Sequence, residues 1–254
     1  MSFTTLLIYG LIAALANIIG GWWISTHKSL NRALLKYSIA IGAGFMLAAV
    51  FLKVIPESFN LWRGADRASI GAMMLLLGGY LLIQFFEHTV APHFHFGEEI
   101  HTSAMLPEHA AITAVGGLAI HTFFDGVSIA SGFAINFQLG FLIFIAIMLH
   151  KIPEGFTVAS IMLASGRERR AARWATLIVG GATLLGVLAI AILGARFEKI
   201  ERYALPLSAG VTLYVAASDL IPEINNKDEG PLTSIVVFGG VALYYITDLI
   251  LESL

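Results

Sequence analysis

The chain predicts an all-α membrane protein: eight transmembrane helices, with inverted three-helix repeats (helices 1–3 and 6–8) around a central pair (helices 4 and 5). Three observations predict it. Hydrophobic residues make up 57% of the 254 residues and charged residues 13%, against roughly 45–50% and about 25% in a soluble domain. The apolar residues gather into eight runs long enough to cross a hydrocarbon core, which takes about 20 residues of helix. Seven residues in and just after the second run recur in and just after the seventh at a constant offset.

In order, the runs span 3–24, 33–57, 69–90, 108–135, 138–164, 173–194, 203–223 and 232–251, separated by polar breaks. The first resembles a secretory signal in length, but a signal carries its positive charge before the apolar stretch. Here Lys28, Arg32 and Lys36 come after it. It therefore reads as a retained helix with its N-terminus outside, because short loops rich in Lys and Arg stay in the cytoplasm. Alternation then puts Lys28, Arg32, Lys36, Arg167, Arg169, Arg170, Arg173 and Lys227 inside, and Lys53, Arg63, Arg67, Arg196, Lys199 and Arg202 outside. An even number of spans returns the C-terminus to the outside. Residues 1–254 read as one polytopic domain of the cell membrane, with the lipid bilayer as its surroundings and 91–107 as a cytoplasmic histidine-containing loop.

A formal net charge of −2 offers no basic footprint for nucleic acid. The absence of cysteine removes disulfides, thiolate metal sites and cysteine nucleophiles together. Eight histidines remain as the soft ligands. No organic cofactor is expected.

The repeat consists of Ala43, Gly44, Leu47, Ile55, Pro56, Glu57 and Asn60, which return as Ala209, Gly210, Leu213, Ile221, Pro222, Glu223 and Asn226. Spans two and seven run in opposite directions, so the two three-helix units would be related by an axis in the membrane plane. Many secondary transporters share that plan.

Outside the repeat, the fourth run reads His121-Thr-Phe-Phe-Asp125-Gly126 and the fifth His150-Lys151-Ile-Pro153-Glu154-Gly155. Residues four apart stack on one helix face, so each span aims one imidazole and one carboxylate at a common point near the midplane. Carboxylates there are costly without compensation, and a bound divalent cation would offset their charge. The alternative is a pair of hydrogen-bonded His–acid couples that only hold the helices together. Pro153 frees the Leu149 carbonyl, which could face an ion pathway. Gly126 and Gly155 are open to two readings, close helix packing or approach to a ligand.

These motifs resemble those of the ZIP (Zrt/Irt-like protein) family, whose fourth and fifth helices carry closely similar H-x-x-x-[DE]-G and H-x-x-P-E-G signatures. Membership would imply movement of divalent transition metals into the cytoplasm by alternating access, with Zn2+ the main transported substrate and Fe2+, Mn2+ and Cd2+ further candidates. The resemblance further implies that His121, Asp125, His150 and Glu154 are the primary metal ligands and that the protein is a homodimer. It also implies that the fourth and fifth helices move with the first and sixth against the second, third, seventh and eighth. Binuclear members carry Asn and an acid where this chain has Thr122 and Lys151, and a sixth-helix carboxylate that this chain lacks. One metal is therefore expected, with Lys151 in the space of the second. The other reading has Lys151 snorkelling along its helix.

Glu57 at the outer end of the second span, and Ser218, Asp219 and Glu223 at the inner end of the seventh, could line the pathway or merely solvate helix ends. Lys53 beside Glu57 weakens an entrance site. His93, His95 and His101 could bind cytosolic metal or belong to a plain polar loop. Two other functions use the same residues: an intramembrane zinc-dependent hydrolase and a proton-coupled solute transporter. No H-E-x-x-H motif supports the former, and the expectation is that the protein is not an enzyme.

Overall fold

The structure is a computed structural model that describes residues 3–26, 32–64, 68–89, 108–194, 196–197, 199–224 and 232–253. The described residues form helices and short turns. They give α1 (Phe3–Thr26), α2 (Arg32–Ala49, Val50–Val54 and Ile55–Leu61), α3 (Ala68–Thr89) and α4 (Glu108–Ile135). The second half holds α5 (Phe137–Ala164), α6 (Arg169–Gly194), α7 (Glu201–Tyr214, Val215–Leu220 and Ile221–Ile224) and α8 (Leu232–Glu252).

Seven of these helices are long and apolar enough to cross a membrane. The eighth, α7, is built of segments of 14, 6 and 4 residues. It buries Ser208, Thr212 and Asp219, so its hydropathy is diluted by polar residues that face the protein.

The bundle is sorted inside out relative to a soluble protein. Phe238 is 74% exposed, and Met74 and Ile178 are each 62% exposed, while Asp125, His150, Lys151 and Glu154 are fully buried. Water would penalise that arrangement by the hydrophobic effect, whereas hydrocarbon solvates the apolar rim. The protein is an integral membrane protein.

At the centre, α4 and α5 run antiparallel through a tight turn. Asn136 caps α5 by accepting the Leu139 N–H at 2.8 Å. Tyr9 of α1 stacks on Phe133 and meets Phe144 edge-on, with ring centroids 4.5 and 4.8 Å apart. Phe45 of α2 meets Tyr244 of α8 at 5.5 Å, and Tyr80 of α3 meets Tyr214 of α7 at 5.1 Å.

Both α2 and α7 widen into a π turn just ahead of a proline. Pro56 cannot donate to Leu52, nor Pro222 to Ser218, and the ladder slips by one residue. The Ile55 N–H bonds Val50 O and the Ile221 N–H bonds Ala216 O. Such turns recur at functional places in helices.

Candidate metal site

Helix geometry positions the central side chains on both helices of the pair. One turn of α4 presents His121 and Asp125, and one turn of α5 presents His150 and Glu154, as the four-residue spacing requires. One ligand atom from each of the four lies within 4.8 Å of all the others, and all four residues are buried. The His121 and His150 rings stand 5.7 Å apart. Both imidazoles bring Nε2 to 3.3 Å from Asp125 Oδ2.

The hydrogen bonds around these groups fix their orientation. His150 Nδ1 donates to the Ala146 carbonyl at 3.0 Å, which turns Nε2 towards the site, 3.3 Å from Asp125 Oδ2. Both nitrogens of His121, and Oδ1 of Asp125, are buried with no hydrogen-bond partner. Unpaired buried polar atoms are expensive in hydrocarbon, and a cation between the four residues would engage one His121 nitrogen and the Asp125 carboxylate. Two nitrogens and two oxygens suit a borderline divalent metal.

Lys151 does not snorkel. Its Nζ lies 2.6 Å from Asp125 Oδ2 and 2.6 Å from Glu154 Oε2, with Thr122 Oγ1 at 3.4 Å. The Thr122 hydroxyl donates to Glu154 Oε1. The ammonium thus bridges both carboxylates of the site, and two carboxylates against one ammonium leave one formal negative charge.

Gly126 and Gly155 are packing residues. A Cβ on Gly126 would run into the Thr183 carbonyl of α6, and one on Gly155 into the Asn17 carbonyl of α1. Each acid is therefore followed by a point where its helix packs closely on a neighbour. The Leu149 carbonyl released by Pro153 lies against Gly42 of α2.

The remaining candidates are not gathered at this centre. Glu57 is half-buried near the far end of α2 and accepts from Asn60 at 3.1 Å. Lys53 turns away from it, to Asp248 of α8 at 2.9 Å and Glu252 at 3.7 Å, so it does not neutralise Glu57. At the opposite end, Ser218 hydrogen-bonds Tyr80 at 2.9 Å, and Asp219 is buried within Coulombic reach of Glu87 on α3. The Tyr214 hydroxyl lies beside the same Glu87 carboxylate. Sequence reasoning missed Glu87, which reads as a solvated helix end. Glu223 is on the last turn of α7, but its side chain lies outside the described residues, as do His93, His95 and His101.

The family model of the ZIP zinc transporter matches residues 97–248, more than half of the chain and all of α4 to α7. The chain belongs to the ZIP family. Similar proteins include the "Zinc transporter ZupT" of Salmonella paratyphi A, 28% identical over 254 residues, covering 98% of this chain and 97% of that protein. The ZupT of Salmonella newport (strain SL254) matches to the same extent. The "Zinc transporter ZIP13 homolog" of Drosophila melanogaster is 34% identical over 115 residues, 44% of this chain and 32% of that protein. Members of the ZIP family are divalent-metal transporters and not enzymes, so the hydrolase reading of the buried ligands is set aside.

Proposed function

We propose that this ZIP protein carries zinc into the cytoplasm by alternating access, one ion at a time, through a site formed by His121, Asp125, His150 and Glu154. The observation that carries the reading is the convergence of four buried ligand atoms within 4.8 Å, with the His121 nitrogens and Asp125 Oδ1 lacking a hydrogen bond. Two imidazoles and two carboxylates also accept Fe2+, Mn2+ or Cd2+, so zinc is the preferred substrate rather than the sole one. Lys151 holds the number at one, because its ammonium fills the space between the carboxylates and repels a second cation.

An inverted repeat underlies the transport cycle in this reading, and matched contacts support it. The π-turn acceptors Val50 and Ala216 are 166 residues apart, the offset of the sequence repeat. Gly155 abuts Asn17 and Gly21, and Gly126 abuts Thr183 and Val187, again 166 further on. Gly44 abuts Val237 of α8 as Gly210 abuts Leu76 of α3. A pseudo-two-fold that exchanges α4 with α5, α1 with α6, α2 with α7 and α3 with α8 would generate all of these.

Both termini lie outside in this account, in the cell membrane, with Glu57 at the entrance and Ser218, Asp219 and Glu223 towards the exit. The histidine loop at 91–107 faces the cytoplasm and tunes transport by weak metal binding, and the protein works as a homodimer. The test is uptake into proteoliposomes holding a zinc indicator, with competing metals and an imposed pH gradient. Zinc-gradient-dependent uptake that Cd2+ inhibits is expected. Absence of metal flux, with solute uptake unaffected by chelators, would overturn the reading.

A further inference from the structure

A second polar node sits away from the metal site, where α2, α5 and α8 meet near the α4–α5 turn. Asp248 Oδ1 of α8 accepts from Lys53 Nζ of α2 at 2.9 Å and from Gln138 Nε2 of α5 at 3.0 Å. All three side chains are part-buried. Lys53 belongs to the π turn of α2, and Gln138 to the first turn of α5, the helix that carries His150 and Glu154.

A mainly apolar cavity lies beside α2, α4, α5 and α7. Ala49, Val50, Val54, Ser128, Ala146 and Thr212 help to line it, and all six are buried. Ala146 is also the residue whose carbonyl holds His150. Lys53 is the chain neighbour of Val54, so the node and the His150 support adjoin the same cavity.

The opposite end of the bundle is charged differently in the corresponding place. Adding the repeat offset of 166 to Lys53 gives Asp219. Gly44 meets Val237 as Gly210 meets Leu76, which sets the offset between α3 and α8 at 161, and subtracting it from Asp248 gives Glu87. An attractive cation–anion pair at one end thus corresponds to two carboxylates at the other, within Coulombic reach of each other. Like charges do not hold two helices together without a cation or a proton between them.

We propose that Asp248 is a latch: by holding Gln138 of α5 to Lys53 of α2, it keeps the passage from the α4–α5 end shut in the ion-free carrier. The latch must part for the metal site to open towards the α4–α5 end, which is the outer end in the transport reading on which the proposal rests. It adds gating residues to that reading without touching the metal ligands.

The chain contains no cysteine, so a Gln138→Cys, Asp248→Cys pair is the only thiol couple in the protein and can be cross-linked by oxidation. Zinc uptake into proteoliposomes should fall at least about tenfold in the cross-linked carrier and return on reduction, as gating by this contact requires. Uptake at the parental rate with the cross-link formed would overturn the latch. A second measurement needs neither cross-linking nor transport. A single Ser128→Cys in the cavity should react about tenfold faster with a membrane-impermeant thiol reagent once Gln138→Ala is added, the shift expected from losing a hydrogen bond to a charged group. Equal labelling rates would also overturn it. A parental protein with no zinc uptake at all but with the labelling difference intact would count against the transport reading, not the latch.

Discussion

Replacing Lys151 by Met removes the ammonium and keeps most of its volume. In the ion-free protein Nζ lies 2.6 Å from a carboxylate oxygen of both Asp125 and Glu154. A metal held by the same carboxylates at about 2.1 Å stands within about 4 Å of that ammonium. Two unit charges at about 4 Å interact by about 4 kcal/mol at an effective dielectric of about 20, hence a divalent ion and an ammonium by about 8 kcal/mol. Withdrawal of the lysine and rearrangement of nearby dipoles relieve most of this, and a residue of only about 1.4 kcal/mol is a factor of about ten in affinity. Lys151→Met should therefore bind zinc at least about tenfold more tightly in a calorimetric titration of detergent-solubilised protein. The same change leaves two buried carboxylates without a counter-ion, so the ion-free variant should lose about 3–5 kcal/mol of stability and regain it with zinc. Thermal unfolding with and without metal reads this as a larger zinc-induced rise in Tm than the parent shows. A folded variant with unchanged or weaker affinity, and no enlarged zinc shift, would refute the argument that the ammonium competes with the ion.

Three further outcomes follow from the packing and the loop. Gly155→Ala drives a Cβ into the Asn17 carbonyl and should lower stability by about 1–3 kcal/mol, read as a lower Tm. Gly181→Ala on α6, where nothing lies within 4 Å, should leave Tm unchanged, and equal effects would show that close approach is not the cause. Replacing His93, His95 and His101 together should alter the response of uptake to internal zinc while basal uptake persists; loss of basal uptake would contradict a regulatory loop.

Much of the fold was legible because a bilayer imposes length on every span, and seven of the eight runs meet that demand by composition alone. The remaining one, α7, is the helix whose buried face carries Ser208, Thr212 and Asp219, so its signal is weakest where its side chains are most engaged. The central cluster was legible because charge inside hydrocarbon stands out, and two antiparallel copies of one motif leave few ways to face each other. Partners across helices were not. Lys53 and Glu57 are four apart, which suggests a pair, yet Lys53 finds Asp248 195 residues away. The choice depends on which way α2 faces α8, and the two rings of Phe45 and Tyr244 set that contact. The same holds for Glu87, whose meaning depends on Asp219 of a helix far along the chain. Glycine after each acid was readable as close packing or as room for a ligand, and only the neighbouring carbonyls of Asn17 and Thr183 decide between them.

The central claim is that one metal ion is held by two imidazoles and two carboxylates between α4 and α5. X-ray absorption at the zinc edge tests it most directly, on purified protein loaded with zinc and freed of excess. The account predicts one zinc per protomer, ligated by nitrogen and oxygen at about 2.0–2.2 Å, with the multiple scattering of two imidazoles that drops to one in His121→Ala or His150→Ala. Two zinc ions per protomer at the helix centre, or an unchanged imidazole count in both variants, would contradict it.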